Sequence, residues 1–523
     1  VTSTDVPVDV PTDVPTGLPL LGPGTPLPAG VAEPRALPEQ VGLVHLGWGA
    51  FHRAHQAVCT EDAMAATGDL RWGILGVAGM RRPSPVAAAA RRQGGRYTVL
   101  SVGGGGDGEP AASARVVGAV VDVASPLDET PRLVAALSAA TTHVVTLTIT
   151  EKGYCRRPDG HLDAAQVADD VAALAAEEVA GRADVADDAR PATSALGLLV
   201  RGLAARRRAG GAPVTVLSCD NVAHNGRVLA RLVAEVVDAA LPGAVGDALR
   251  GWLAASVTFP SSMVDRITPA TTPEVLARIA ATIGARDDAG VVAEPFSQWV
   301  IEDRFAGPRP AWERAGAELV DDVAPWEAAK LRMLNGTHSL LAYAGRLAGH
   351  ATLAEAVADP HVATHAWAYM TDDALPTLAP PAGADLAAYG AELMRRFANP
   401  ATGHTTTQVS GDGTQKIPFR WGAVAAWHLE RGRVPQGVAH GLAAWSEFVR
   451  RAVRDGVDLG DPAGAHRLAA AVRAAGTDDV AAVATGLVAL PGLLPDGAGS
   501  DARLVTAVVE HAEALAGRGQ GLR

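Results

Sequence analysis

Lysine occurs three times in 523 residues, at Lys152, Lys330 and Lys416. Every other member of the 45 Lys and Arg residues is arginine. Asparagine occurs four times, at Asn221, Asn225, Asn335 and Asn399. A compositional drift toward Arg and Ala accounts for the scarcity, but not for where the survivors stand. Arginine replaces lysine as a surface cation, yet it does not exchange a proton near neutrality, because its pKa stays above about 12. Each lysine retained in such a chain is therefore a candidate proton-exchanging group.

Lys330 lies in Glu327-Ala-Ala-Lys330-Leu-Arg-Met-Leu-Asn335-Gly-Thr-His338. On a continuous α-helix at about 100° per residue, with Lys330 at zero, Glu327 falls near ~60°, His338 near ~80° and Asn335 near ~140°. One broad face then carries an acid, an amine, an amide and an imidazole. If that face lies on a surface, Lys330 simply pairs with Glu327 at i−3. The apolar neighbours Leu331, Met333, Leu334 and Leu340 favour partial burial, where four polar groups are costly without a use. Burial disfavours the ammonium and draws a lysine toward neutrality. A neutral amine takes the proton of an alcohol as hydride leaves the same carbon; in reverse, the ammonium donates to the developing alkoxide. The carboxamides of Asn335 and Asn221 are suited to donate N–H bonds to that oxygen. No compact His/Cys ligand cluster is visible, so no metal is expected.

The elements around these residues follow from pattern. Val41 to Leu46, Trp72 to Val77, Val144 to Ile149 and Val214 to Leu217 read as buried strands. Ala-rich helical sequence separates them, beginning with Phe51 to Ala66. Such alternation implies a parallel sheet covered on both faces. Asn221 directly follows the strand ending at Leu217, at the carboxyl edge where doubly wound folds bind ligands. Gly47-Trp48-Gly49 follows the first strand and opens a helix, as a pyrophosphate-binding turn does. His52 stands where a full fingerprint has a third glycine, so an ordinary strand-to-helix turn stays open. No acid marks the end of the second strand. Arg81 and Arg82 there would accept a 2′-phosphate, which favours NADP over NAD, or form a solvated basic turn. Beyond about residue 310 the sequence is Ala-, Leu- and Arg-rich and reads as helical, with breaks at Pro376, Pro380, Pro400 and Pro491.

Residues 1–40 read as a Pro-rich disordered leader, or a docking tail, with Asp-Val-Pro repeats from Asp5 to Pro15. The stretches Gly103 to Gly108 and Pro491 to Gly499 read as surface loops. The divisions expected are 1–40, a dinucleotide-binding domain over 41–310, and a helical substrate and catalytic domain over 311–523. A net charge of −12 argues against a nucleic-acid partner. Cys59, Cys155 and Cys219 are odd in number and far apart, which argues against a disulfide scaffold and for a reducing cytoplasm. No signal peptide is read at the N-terminus. Leu133 to Thr150 reads as a helix end, a turn and a strand rather than a membrane span.

Seven stretches carry a resemblance. They are Val44-His-Leu-Gly-Trp-Gly-Ala50-Phe51-His-Arg-Ala-His55, Thr150-Glu-Lys-Gly-Tyr154, Ser218 to Asn221 with Asn225-Gly226, Met263-Val-Asp265-Arg266-Ile267, Glu294 to Trp299, Lys330 to His338, and Asp412 to Lys416. In this order they resemble the polyol-specific long-chain dehydrogenase/reductase family, which includes mannitol and arabinitol dehydrogenases and uronate reductases. The resemblance implies an α/β chain: a Rossmann-type N-terminal domain and a mostly α-helical C-terminal domain, with the active site between them. It implies metal-independent hydride transfer with Lys330 as general acid/base. Asn221 and Asn335 would bind the reacting oxygen, His338 would contact substrate, and Glu327 would relay protons. Gly47, Gly49, Ala50 and Phe51 would hold NAD; Asp265, Arg266, Gln408 and Lys416 would line the substrate site. The wording around Lys330 and Trp299-Val-Ile-Glu-Asp303 resembles the fructuronate-reducing branch, which implies NADH-dependent reduction of D-fructuronate to D-mannonate. His404-Thr-Thr-Thr-Gln408 lacks an arginine of that branch, so a mannitol or arabinitol dehydrogenase is the alternative. The partner expected is a sugar acid or polyol, with no nucleic acid and no membrane, in a monomer or small homo-oligomer. A nucleotide-binding sensor with a decayed site is the competing class, and the full set Lys330, Asn221, Asn335 and His338 speaks against it.

Overall fold

The computed structural model describes residues 17–103, 112–157, 159–182, 185–186, 188–381, 383–495 and 497–517. The chain divides into two compact units, residues 1–323 and 324–523.

In the first unit, six strands form one sheet: β1 (Val41–Leu46), β2 (Gly73–Val77), β3 (Val120–Ala124), β4 (Val144–Leu147), β5 (Val214–Ser218) and β6 (Val257–Thr258). Their spatial order is β3-β2-β1-β4-β5-β6 and every neighbouring pair is parallel. Strand order therefore reverses between β1 and β4, the switch point at which such sheets open a crevice. β2, β4 and β5 are buried at every position, which is why they read as continuous apolar runs without alternation. The expected helix 51–66 is two, Ala50–Ala54 and Gln56–Thr67, broken at His55. Leu133 to Thr150 resolves into the end of helix Pro126–Ser138, a turn, and β4. Among the described residues no helix is long and apolar enough to cross a membrane.

Two smaller sheets complete this unit. One joins Val31–Ala32, Ala112–Val117, Tyr97–Val102 and Val291–Ala293; the other joins Ser262–Asp265, Gln298–Glu302 and Glu318–Val320. They correct two boundaries. The Asp-Val-Pro repeats lie outside the described residues, but the chain from 17 to 40 is not a loose leader. Leu21 is buried in a core with Leu100, Val116 and Ile283, its N–H bonds Arg286 O at 2.8 Å, and Val31–Ala32 pairs with Ala114–Arg115. Proline density misleads here because short edge pairing needs few backbone donors. The first unit also runs past 310, because Glu318–Val320 pairs with Val300–Glu302. Of the Gly103–Gly108 loop, everything past Gly103 lies outside the described residues.

The second unit is helical. Its centre is Gln436–Asp455, buried from Gly437 to Ala452 and packed with Tyr343, Trp421 and Leu487 in one core. Pro435 gives that helix no side-chain cap. The carboxylate of Asp373 takes the role instead, accepting from Val438 N–H at 2.8 Å. Burial pushes the Asp373 carboxyl up to about 6.

Helix Asn225–Ala240 starts hard against backbone: a Cβ on Gly226 would lie 2.5 Å from Phe259 O and 2.6 Å from Pro260 O. Neither atom can give way. Gly226→Ala is expected to destabilise the first unit by ~1–3 kcal/mol, read as a lower urea midpoint; an unchanged midpoint contradicts this packing.

Candidate functional site

Each unit carries its own part of the candidate chemistry. In the first, the turn after β1 is set by Gly47 at φ +92°. Its N–H and that of Trp48 bond Val77 O at 3.0 and 2.9 Å, which ties β1 to β2 as they end. A Cβ on Gly47 would stand 2.2 Å from Thr148 O, beyond β4. Glycine is thus required at the switch point by backbone angle and by space. Gly49 differs. A Cβ there would meet nothing closer than Gly47 O at 3.6 Å, so the protein itself leaves room over the start of Ala50–Ala54. The turn therefore fits a close-approaching pyrophosphate, with Gly49, Ala50 and Phe51 along its edge.

His52, in the place of the third glycine, is buried and stacks on His45 of β1, ring centroids 3.4 Å apart. His45 is pinned by Thr146 Oγ1 at 2.7 Å and Thr148 Oγ1 at 2.8 Å, and burial lowers its pKa to about 3. Burial likewise holds His52 well below the usual range. Helix-to-strand contact, normally bought with a glycine, is made here by two neutral rings. Arg81 is committed to Thr193 O at 3.0 Å and Gln166 O at 3.3 Å. That engagement disfavours its expected reach toward a 2′-phosphate.

Beyond β5 the loop Ser218–Asn225 is fastened on two sides. The carboxylate of Asp220 accepts from Ile149 N–H at 3.0 Å, Thr150 N–H at 2.8 Å and Tyr154 Oη at 3.1 Å. Burial pushes this carboxyl up, while those donors pull it back. The buried Asn225 carboxamide donates to Asp220 O at 2.9 Å and Ser262 O at 2.8 Å, and accepts from Ser262 N–H at 3.0 Å. Asn221, between these anchors, is exposed at the carboxyl edge of the sheet. Of four scarce asparagines, Asn225 is thus a positioning residue. Asp265 is buried on Ser262–Asp265. Arg266 is a strut: its guanidinium donates to Glu294 O at 3.0 Å, to Ala54 O and to Ser101 Oγ at 3.5 Å, which does not favour the expected substrate contact.

In the second unit, the Glu327–His338 segment is not one α-helix. Ala324–Ala329 is α, Lys330–Asn335 is π, and Gly336–Ala348 is α again. The angles expected from 100° per residue do not hold through the wider turn. Single π-turns recur at functional sites. Side chains from two other π-segments, Tyr369–Ala374 and Pro418–Gly422, bond carbonyls of this stretch. Tyr369 Oη donates to Arg332 O at 2.7 Å. Arg420 Nη1 donates to Asn335 O at 3.1 Å and Ser339 Oγ at 2.7 Å. Trp421 Nε1 donates to Gly336 O at 3.1 Å. Gly336 is needed for this, since a Cβ there would fall 2.0 Å from Tyr369 Oη.

On this frame Glu327, Lys330 and His338 are buried, 8, 7 and 8% exposed, and Asn335 is half-buried. His338 stacks on Phe397 and meets His404 edge-on, both at 4.8 Å between centroids. Burial, then the charges around His404, Arg420, Arg396 and Lys416, hold His338 well below its ordinary pKa, so its ring is neutral at physiological pH. Lys416 Nζ reaches Val409 O at 3.5 Å. Gln408 is exposed and closes a capping box with Thr405, its Oε1 accepting from Thr405 N–H at 3.3 Å. That holds Gln408 to the helix start, away from the substrate role expected of it. Tyr369, Phe397, His404 and Arg420 are the residues the sequence alone did not single out. All four lie more than 30 positions from Lys330, and nothing local marks them. Among the described residues no three His, Cys, Asp or Glu side chains are placed to hold a metal ion.

Comparison with known proteins agrees with this division. The mannitol dehydrogenase Rossmann domain model matches residues 41–314, and the mannitol dehydrogenase C-terminal domain model matches 322–510. A D-mannonate oxidoreductase of Escherichia coli is 38% identical over 91% of this chain and 93% of its own. A D-arabinitol 4-dehydrogenase of Ralstonia nicotianae is 38% identical over 76% of this chain and 80% of its own. Among solved structures, Pseudomonas fluorescens mannitol 2-dehydrogenase, in a ternary complex with NAD and D-mannitol, superposes with a TM-score of 0.78. It is 31% identical, covering 94% of this chain and 96% of its own.

Tyr369→Phe removes the donor to Arg332 O. It should cost ~0.5–1.5 kcal/mol of stability in the second unit, seen by thermal unfolding, and lower turnover without changing nucleotide affinity. Full stability together with full turnover would show that the π-turn does not need this bond.

Proposed function

We propose that this chain, which belongs to the mannitol dehydrogenase family, reduces D-fructuronate to D-mannonate with NADH. It is an oxidoreductase acting on CH–OH groups. The observation that carries the reading is the buried amine of Lys330 on the π-wound segment, with Glu327 one turn before it and Asn335 and His338 after it.

In reduction, the Lys330 ammonium donates a proton from Nζ to the oxygen as that oxygen gains charge. The carboxamides of Asn335 and Asn221 donate N–H bonds that stabilise the same charge. Glu327 passes a replacement proton from water to the Lys330 amine, and His338, kept neutral, hydrogen-bonds the substrate. NADH, when bound along Gly47, Gly49, Ala50 and Phe51, supplies the hydride. One hydride and one proton thus account for the alcohol formed. Burial in apolar surroundings keeps the polar groups strong and water out. NAD is the nucleotide of this reading. The engaged Arg81 guanidinium supports it over NADP, as does the NAD held by the solved mannitol 2-dehydrogenase. The substrate reading draws support from the E. coli relative, whose similarity spans nearly both chains.

A ketose–polyol pair is the second reading, favoured by the D-arabinitol and mannitol relatives at comparable identity and by the absence of arginine between His404 and Gln408.

Purified protein assayed with NADH against fructuronate, tagaturonate, fructose and xylulose should show its highest kcat/KM with fructuronate. A higher value for fructose or xylulose would transfer the chain to the second reading. NADH should outperform NADPH by on the order of tenfold or more in kcat/KM, about 1.4 kcal/mol of transition-state discrimination; parity would place Arg82 or another cation at the 2′-phosphate.

A further inference from the structure

Within the second unit, one side of His338 is lined by groups of a single electrostatic character. The Nε2 atom of His338 and the Nδ1 atom of His404 are both buried and make no hydrogen bond among the described residues. Their rings meet edge-on, 4.8 Å between centroids. Lys416 acts electrostatically on both imidazoles, and Arg396 and Arg420 act on His338. Every charge named on the two rings is basic. Two buried ring nitrogens without partners, under the field of a lysine and two arginines, form a place for an acceptor that carries negative charge.

The cluster also adjoins the proposed chemistry along the chain. Asn335 and His338 are three residues apart where the π-turn passes into Gly336–Ala348. At ~1.5 Å of rise per residue, three helical residues advance ~4.5 Å along the axis. That span is of the order of an extended carbon chain joining a keto carbon to a terminal carboxyl group in a six-carbon sugar acid.

We propose that His404, with Lys416 and the outer nitrogen of His338, forms the subsite that binds the carboxylate of a sugar-acid substrate, and that His404 is the residue distinguishing a uronate from an uncharged ketose. The inference rests on the oxidoreductase reading above and deepens it. Gln408, engaged in its capping box, takes no part. A carboxylate here accepts from the two imidazole N–H groups and from the Lys416 ammonium. An uncharged hydroxymethyl group at the same place gains nothing from the lysine's charge, so the subsite raises affinity for the acid selectively.

The test compares wild type with His404→Gln and, separately, Lys416→Gln, measuring KM and kcat for fructuronate and for fructose, and KM for NADH. His404→Gln should raise KM for fructuronate tenfold or more, leave KM for fructose within about twofold, which also reports an intact second unit, and leave KM for NADH unchanged; Lys416→Gln should raise KM for fructuronate at least tenfold more than it raises KM for fructose. D-Mannonate as product inhibitor should weaken in parallel, whereas D-mannitol should not. Equal losses for both substrates, in a wild type that prefers fructuronate, would overturn the carboxylate subsite and leave the function standing. A wild type that prefers fructose would overturn both.

Discussion

One departure from regular winding governs the second unit. Between Lys330 and Asn335 the helix widens to a π-turn, and carbonyls in and just after it are held by Tyr369, Arg420 and Trp421. These bonds fix where Lys330, Asn335 and His338 stand relative to one another. An α-helix through the same residues would rotate the three side chains around its axis. The wider turn is costly by itself. It persists because two other π-segments, at 369–374 and 418–422, place donors against it, and because Gly336 leaves space for the Tyr369 hydroxyl.

The first unit meets a different constraint, backbone closeness. At the switch point between β1 and β4, Gly47 lies so near Thr148 that no side chain fits, while Gly49 faces open space. The first glycine serves the fold and the second leaves room for a ligand. Further along the sheet edge, Asp220 and Asn225 are spent on backbone groups of neighbouring segments. Their rigidity holds the loop that carries Asn221.

Much of this was legible in the sequence for a simple reason. Strands buried on both faces show as apolar runs, so the four main strands of the sheet were readable at nearly their observed limits. The scarcity of lysine and asparagine marked Lys330, Asn335 and Asn221 before any coordinates. What was not legible depends on tertiary partners. A π-turn has no local signature, since the donors that stabilise it come from Tyr369 and Arg420, distant in sequence. Gln408 reads as a site residue and is instead a helix cap with Thr405; Arg266 reads as a substrate contact and is instead a strut to Ala54 and Glu294. The segment 17–40, rich in proline, hides a short paired strand and a buried leucine. Side chains shared between a structural and a chemical reading are separated only by the atoms they meet.

The central claim is that the Lys330 amine exchanges the proton that accompanies hydride transfer. Single-turnover reduction, followed at saturating substrate in Lys330→Ala and Lys330→Arg, tests it most directly. Both variants should lose on the order of 10²–10⁴ in the chemical step with nucleotide affinity preserved, because a guanidinium keeps the charge but not the exchangeable proton. An arginine variant that turns over at the wild-type rate would contradict the account.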